Sequence, residues 1–364
     1  MNFKHLLFAT VFAALPLRAQ HSIFQSDDII AGGQTPAITI ASGRFDWFLS
    51  DGTLNRRMAT TFGEFPFDFA FDAAGRLYSP TFFTVRVFNP SGSFVGNFGN
   101  FPAKKFVAIN FDRSGNVFIA AGTSTGNLVK ADANGNLLAT FLLPNDGLLG
   151  GSVASIDLAS DQCTFFYSAR SKTIFRYDVC SRTPLSDLIS SLPGSSADRI
   201  RILPDGSVLV ADTESIYRVN SAGSIVQTYD VSGQDSWSNL ALTPDGRFFW
   251  ATSFDMAFQF NLQSGTMTGS FQSSDYIFDA MAVVGEPRAA VPSPASVPTL
   301  TWWMLAALAI TLAALARAVA CVDSVSKRSE RHYARRCHAR VNSRRREFCT
   351  HPGFWRSTVE VASV

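Results

Sequence analysis

Between residues 28 and 285 the apolar residues fall into short runs separated by turn-forming clusters. The runs at 65–71, 107–111, 200–203 and 240–242 each lead into an acidic-to-glycine turn, and those at 76–78, 117–120, 208–211 and 248–251 leave it. Short β-rich runs joined by Asp/Asn-Gly turns predict hairpins.

Two turn signatures alternate. The first reads Phe71-Asp72-Ala73-Ala74-Gly75, Phe111-Asp112-Arg113-Ser114-Gly115, Leu203-Pro204-Asp205-Gly206 and Thr243-Pro244-Asp245-Gly246, with glycines spaced 40, 91 and 40 residues apart. The second lies at Asp51-Gly52, Ser91-Gly92, Asn134-Gly135, Ala222-Gly223 and Ser264-Gly265, spaced 40, 43, 88 and 42. Each double gap holds a degenerate copy, Ser160-Asp161-Gln162-Cys163 in the first series and Cys180-Ser181-Arg182-Thr183 in the second. A period of roughly 40–45 residues with four strands is the signature of a propeller blade. An irregular β-sandwich would not keep both turns in phase.

Full copies begin near residues 65, 103, 152, 197 and 237. Residues 277–284 repeat only the first strand, and residues 28–62 supply only later strands. The two fragments complete one more blade, which closes the ring and leaves no open edge. The fold class expected is therefore all-β, a six-bladed β-propeller over residues 21–288, with seven blades as the alternative. The body resembles the NHL and senescence-marker/gluconolactonase-like propellers, most visibly in Leu203-Pro204-Asp205-Gly206-Ser207-Val208-Leu209-Val210-Ala211-Asp212-Thr213. The 33 Phe suit such a ring, in which aromatics cover the packed blade faces.

The two ends read differently. Met1-Asn2-Phe3-Lys4-His5, an apolar run at 6–17 and a small residue at Ala19 predict a signal peptide over 1–20. Residues 289–298 form a Pro/Ala/Ser linker, and residues 300–316 carry no charge. One transmembrane helix is expected within 299–322, with Trp302 and Trp303 at its entry and Lys327, Arg328, Arg331, Arg335 and Arg336 beyond its end. The positive-inside rule then places the propeller outside the cytoplasm. Residues 323–364 read as a disordered basic tail.

Val297-Pro298-Thr299-Leu300, followed by Thr301-Trp302-Trp303, an Ala/Leu run and arginines, resembles the IPTL-type C-terminal sorting signal of bacteria, a relative of PEP-CTERM signals. Here Val297 stands for the usual Ile, Thr301 for Ser and Trp302 for an acidic residue. The resemblance implies an exosortase-like processing enzyme as a partner, with release or sorting of the protein to the cell surface.

Charge and histidine usage narrow the chemistry. Residues 21–299 hold 18 basic and 25 acidic residues, whereas residues 321–364 hold 10 basic and 4 acidic ones. The acidic body has no pull on nucleic acid. No histidine lies between 22 and 331, which excludes His-based hydrolases and most zinc enzymes. Catalytic residues are therefore not assigned.

Two functions compete. The first is a non-enzymatic binding or interaction module for an unknown surface ligand or protein, with no cofactor. The second, implied by the gluconolactonase resemblance, is a metal-dependent lactonase-like hydrolase. Under it Glu64 in Glu64-Phe65-Pro66 and Asn239 in Ser238-Asn239-Leu240 would ligate a divalent cation such as Ca2+. Two oxygen ligands fall short of the roughly six to eight that calcium takes, so the first reading is preferred. Cys163 and Cys180 flank one hairpin of the degenerate blade at positions summing to 343, and a disulfide between them is expected in an oxidising compartment.

Overall fold

In the computed structural model, residues 20–35, 42–101, 105–122, 127–144 and 153–287 are described. The expected signal peptide, apart from residue 20, and the expected linker, sorting motif Val297–Leu300, transmembrane helix and basic tail lie outside the described residues.

The described strands form six four-stranded antiparallel sheets. Blade 1 joins the two ends of the propeller: β1 (Ile29–Gln34), β2 (Ser42–Phe48) and β3 (Leu54–Phe62) are completed by β24 (Ile277–Val283). Blade 2 holds β4 to β7 (Ala70–Phe71, Leu77–Pro80, Val85–Phe88, Phe94–Asn97). Blade 3 holds β8 to β11 (Phe106–Phe111, Val117–Ala121, Asn127–Ala131, Leu137–Leu142). Blade 4 holds β12 to β15 (Ser155–Leu158, Thr164–Ser168, Ile174–Asp178, Thr183–Ile189). Blade 5 holds β16 to β19 (Ala197–Ile202, Val208–Asp212, Ile216–Val219, Ile225–Tyr229). Blade 6 holds β20 to β23 (Trp237–Leu242, Phe248–Ser253, Met256–Asn261, Met267–Gln272). The fold is an all-β six-bladed propeller.

The inner strands β4, β8, β12, β16, β20 and β24 meet their neighbours around a central channel. Between blades 1 and 2 the ring is sealed by a cluster of Ile30, Phe45, Phe69, Leu77, Ala280 and Ala282. Aromatic pairs bridge five of the six interfaces: Phe45–Phe69 at 6.1 Å, Tyr78–Phe111 at 5.0 Å, Phe118–Phe165 at 4.8 Å, Tyr229–Phe249 at 4.9 Å and Phe48–Phe271 at 5.0 Å. Each pair contributes about 0.5–1.5 kcal/mol beyond the area it buries. The interface of blades 4 and 5 is mostly aliphatic, built on Ile174, Leu192, Ile200 and Val210.

The turns explain the period. Asp72 accepts the backbone N–H groups of Ala74 and Arg76, both at 2.9 Å, and Gly75 takes φ +74°. Asp112 repeats this with Ser114 and Asn116, and Gly115 takes φ +81°. In blade 4 the same left-handed positions fall to Gln162 (φ 63°) and Arg182 (φ 61°), which costs a non-glycine residue about 1–2 kcal/mol. That blade carries the disulfide Cys163–Cys180, with Cα atoms 5.3 Å apart. The ladder ends at Thr164 opposite Asp178, and Val179 N donates to the Cys163 carbonyl at 2.9 Å, so the cysteines lie just past the last ladder pair.

Blade 1 is held by more than its ladder. Arg44 Nη2 reaches Asp275 at 2.6 Å, and Arg57 links Asp275 at 3.5 Å to the buried Asp46 at 3.2 Å. The segment before β1 straps the same blade to blade 2. Its Phe24 ring packs on Trp47 at 4.8 Å and Phe71 at 5.7 Å, and Phe24 N donates to the Pro90 carbonyl.

Candidate functional site

Charged side chains from several blades converge in the channel. Its chemistry begins with strand alternation. In Arg199-Ile200-Arg201-Ile202 the two isoleucines turn into the blade 4–5 core and both arginines turn to the channel. The two arginines serve opposite ends of it.

At one end, the Arg199 guanidinium spans the channel. It donates to the carbonyls of Ala154 in blade 4, Phe67 in blade 2 and Asp279 in blade 1, the last at 3.2 Å. Asp279 lies beside it with Oδ2 buried and without a hydrogen-bond partner among the described residues. Burial pushes the Asp279 carboxyl up to about 7, against the opposing pull of Arg199.

At the other end, carboxylates tie inner strands together at alternate interfaces. Asp68 of blade 2 accepts Ile109 N of blade 3 at 3.0 Å. Asp157 of blade 4 accepts Ile202 N of blade 5 at 2.7 Å, together with Leu158 N and Asn110 Nδ2, both at 2.9 Å. Glu286, just after β24, accepts Leu242 N of blade 6 at 2.8 Å and Arg201 Nε at 2.9 Å. Burial raises the carboxyls of both Asp157 and Glu286, although Arg201 works against it. Burial also opposes the charge on Arg201, but Glu286, Asp157 and Asp68 outweigh it and hold that guanidinium above the ordinary arginine value.

A cavity of about 480 Å³ opens at this end, bounded by Arg201, Glu286, Asp157 and Asn110 and by apolar groups including Phe71 and Val284. Small-molecule sites occupy roughly 300–1,000 Å³ and pair apolar walls with a few placed polar groups. This cavity has that composition.

The residues singled out from the sequence lie elsewhere. Glu64 pairs with Arg86 Nη1 at 3.4 Å. Asn239 is buried on β20 and donates from Nδ2 to Thr252 Oγ1 at 2.8 Å and to the Phe278 carbonyl at 3.4 Å. No contact among the described residues joins Glu64 to Asn239. A divalent cation does not fit the Asn239 end of the channel as built. Glu64 is paired with Arg86, and Asn239 turns its amide nitrogen to Thr252 and Phe278, so the two residues offer no shared set of oxygen ligands.

Sequence reasoning passed over Asp68, Asn110, Asp157, Arg199, Arg201 and Glu286. The signal available was charge inside otherwise apolar inner-strand runs, above all two arginines at alternate positions of β16.

No family model matches the chain, and no curated protein matches it. Solved structures do. A protein of unknown function from Bacteroides caccae is 11% identical, with a TM-score of 0.57 over 71% of this chain and 99% of its own. A chain of the nidogen–laminin complex is 10% identical, with a TM-score of 0.56 over 71% of this chain and 98% of its own. A streptogramin B lyase is 14% identical, with a TM-score of 0.46 over 57% of this chain and 69% of its own. At these identities the likeness is one of fold.

Proposed function

We propose that this chain is an exported propeller of the NHL and senescence-marker/gluconolactonase-like type that works as a binding module and not as a lactone hydrolase. It is anchored by residues 299–322 in a membrane, or sorted to the cell surface by an exosortase-like enzyme acting at Val297–Leu300. Its partner is a surface ligand or protein, and nucleic acid is not among its targets.

The observation that carries the binding reading is the Arg199 guanidinium, which donates to three carbonyls from three blades and so fixes a positive charge within the channel. Two of the channel acids have a structural role. Asp68 accepts two backbone amides, and Asp157 accepts two more together with Asn110, so both hold strands together. The disulfide Cys163–Cys180 fits an oxidising compartment.

Two measurements test the proposal. Fractionation of cells with an antibody to the propeller is expected to place it at the inner membrane or outside it; a cytosolic pool would refute export. Incubation with aldonolactones and Ca2+ is expected to give no turnover above buffer. Cation-dependent hydrolysis lost on Glu64→Gln or Asn239→Ala would establish the hydrolase instead.

A further inference from the structure

The cavity at the Arg201 end of the channel has a donor edge and an acceptor side by side. Arg201 uses only Nε on Glu286, and its Nη1 and Nη2 make no hydrogen bond to another described residue. Glu286 spends Oε1 on Arg201 Nε and Leu242 N, and its Oε2 likewise has no partner among the described residues. None of these three atoms is among the buried, unpartnered polar atoms of the protein. They therefore keep some accessible surface at the cavity, although the two side chains are only 13% and 16% exposed.

Charge balance and the pairing of donors with acceptors together decide what such a site accepts. Asp68, Asp157 and Glu286 surround one guanidinium, so the three carboxylates exceed the cation by two. A plain anion on Arg201 would add a third uncompensated negative charge in a poorly solvated place. A plain cation on Glu286 would leave the Arg201 Nη edge without an acceptor. A zwitterion adds no net charge, offering a carboxylate to the Nη edge and an ammonium to Oε2. Because Arg201 and Glu286 meet through a single N–H···O bond of 2.9 Å, the free Nη edge and the free Oε2 flank that bond. One molecule that bears a carboxylate and an ammonium close together can meet both. Phe71, Phe111 and Val284 supply apolar wall beside this pair.

We propose that this cavity binds a free α-amino acid with an apolar side chain, its carboxylate on the Arg201 Nη edge and its ammonium on Glu286 Oε2. The proposal rests on the binding-module reading and names its ligand class. Arg201 and Glu286 hold the head group, and Asp157 and Asn110 keep the strands beside it in place.

Calorimetric titration of the full-length chain in mild detergent with L-phenylalanine tests it. Saturable binding is expected with Kd near or below about 1 mM. N-acetyl-L-phenylalanine lacks the ammonium and phenethylamine lacks the carboxylate; each is expected to bind at least about tenfold more weakly, about 1.4 kcal/mol. These analogues interrogate the site in the unaltered protein, so the outcome does not depend on whether a buried-pair variant folds. Glu286→Gln, with its melting transition checked, is expected to lose the preference for the free ammonium. Equal affinity for all three compounds, or no saturable heat from L-phenylalanine or L-leucine, would overturn the assignment. In that event a binding module would still stand unless lactone turnover appeared, so the two failures are distinguishable.

Discussion

Asp157 on the inner strand of blade 4 accepts the backbone N–H of Ile202 on the inner strand of blade 5, at 2.7 Å. The bond joins two blades that are 45 residues apart in the chain at that point. Asn110 of blade 3 reaches the same carboxylate at 2.9 Å, so one side chain knits three consecutive blades.

Asp157→Ala should therefore cost more than the loss of one hydrogen bond. It strands two backbone donors and leaves Arg201 with less countercharge. A loss of about 3 kcal/mol is expected. Asp157→Asn, which retains one acceptor oxygen, should lose less. Equilibrium denaturation of the three proteins gives the order, and an Asn variant weaker than the Ala variant would contradict the role assigned.

This link also marks where reading the sequence stops. Blade closure was legible because 277–284 repeats a first strand with nothing after it, and 28–62 lacks one. Periodic turns such as Asp72–Gly75 are local, so their spacing reports the blade count directly. The channel chemistry is not local. Asp68 and Ile109 are 41 residues apart, and Arg201 and Glu286 are 85 apart. Only the ring brings them together, and no short motif encodes such a meeting.

Arg199→Ala should open the channel end and leave three carbonyls without their donor. A destabilisation of about 2 kcal/mol is expected from the buried acceptors alone. Arg199→Lys should recover little of it, because a point ammonium cannot match a planar fork that spans blades 1, 2 and 4. Thermal unfolding of both variants checks this; full rescue by lysine would show that charge, not geometry, matters there.

Asp279 sets a pH dependence. Its carboxyl is raised from 3.8 to about 7, chiefly by burial, with Arg199 and Arg170 opposing and Asp198 assisting. A group that binds its proton more tightly when folded stabilises the protein fully below pH 3.8. That stability is lost as the pH climbs to about 7, and is flat above. Asp279→Asn stays neutral throughout. It should melt above the wild type at pH 8, and the gap should close towards pH 4. A gap independent of pH would remove Asp279 as its source.

The Cys163–Cys180 bridge closes a loop with a sequence separation of 17. Loops of this length give about 3 kcal/mol in the chain-entropy account. Replacing both cysteines by Ala should lower the denaturation midpoint by a matching amount, and reductant should do the same to the wild type. Alkylation of exported protein without prior reduction should label neither thiol, whereas labelling of both would refute the bridge.

Blade 1 cannot be finished until Val283 has been made, because its innermost strand is the last one in the propeller. The ribosome therefore delivers an open arc, with the inner edge of β1 and the blade 1 face that packs on blade 6 unmatched through most of synthesis. A polypeptide threaded through a secretion channel must stay unfolded until it is across. For an exported chain of the kind proposed, late ring closure would postpone compaction in that way.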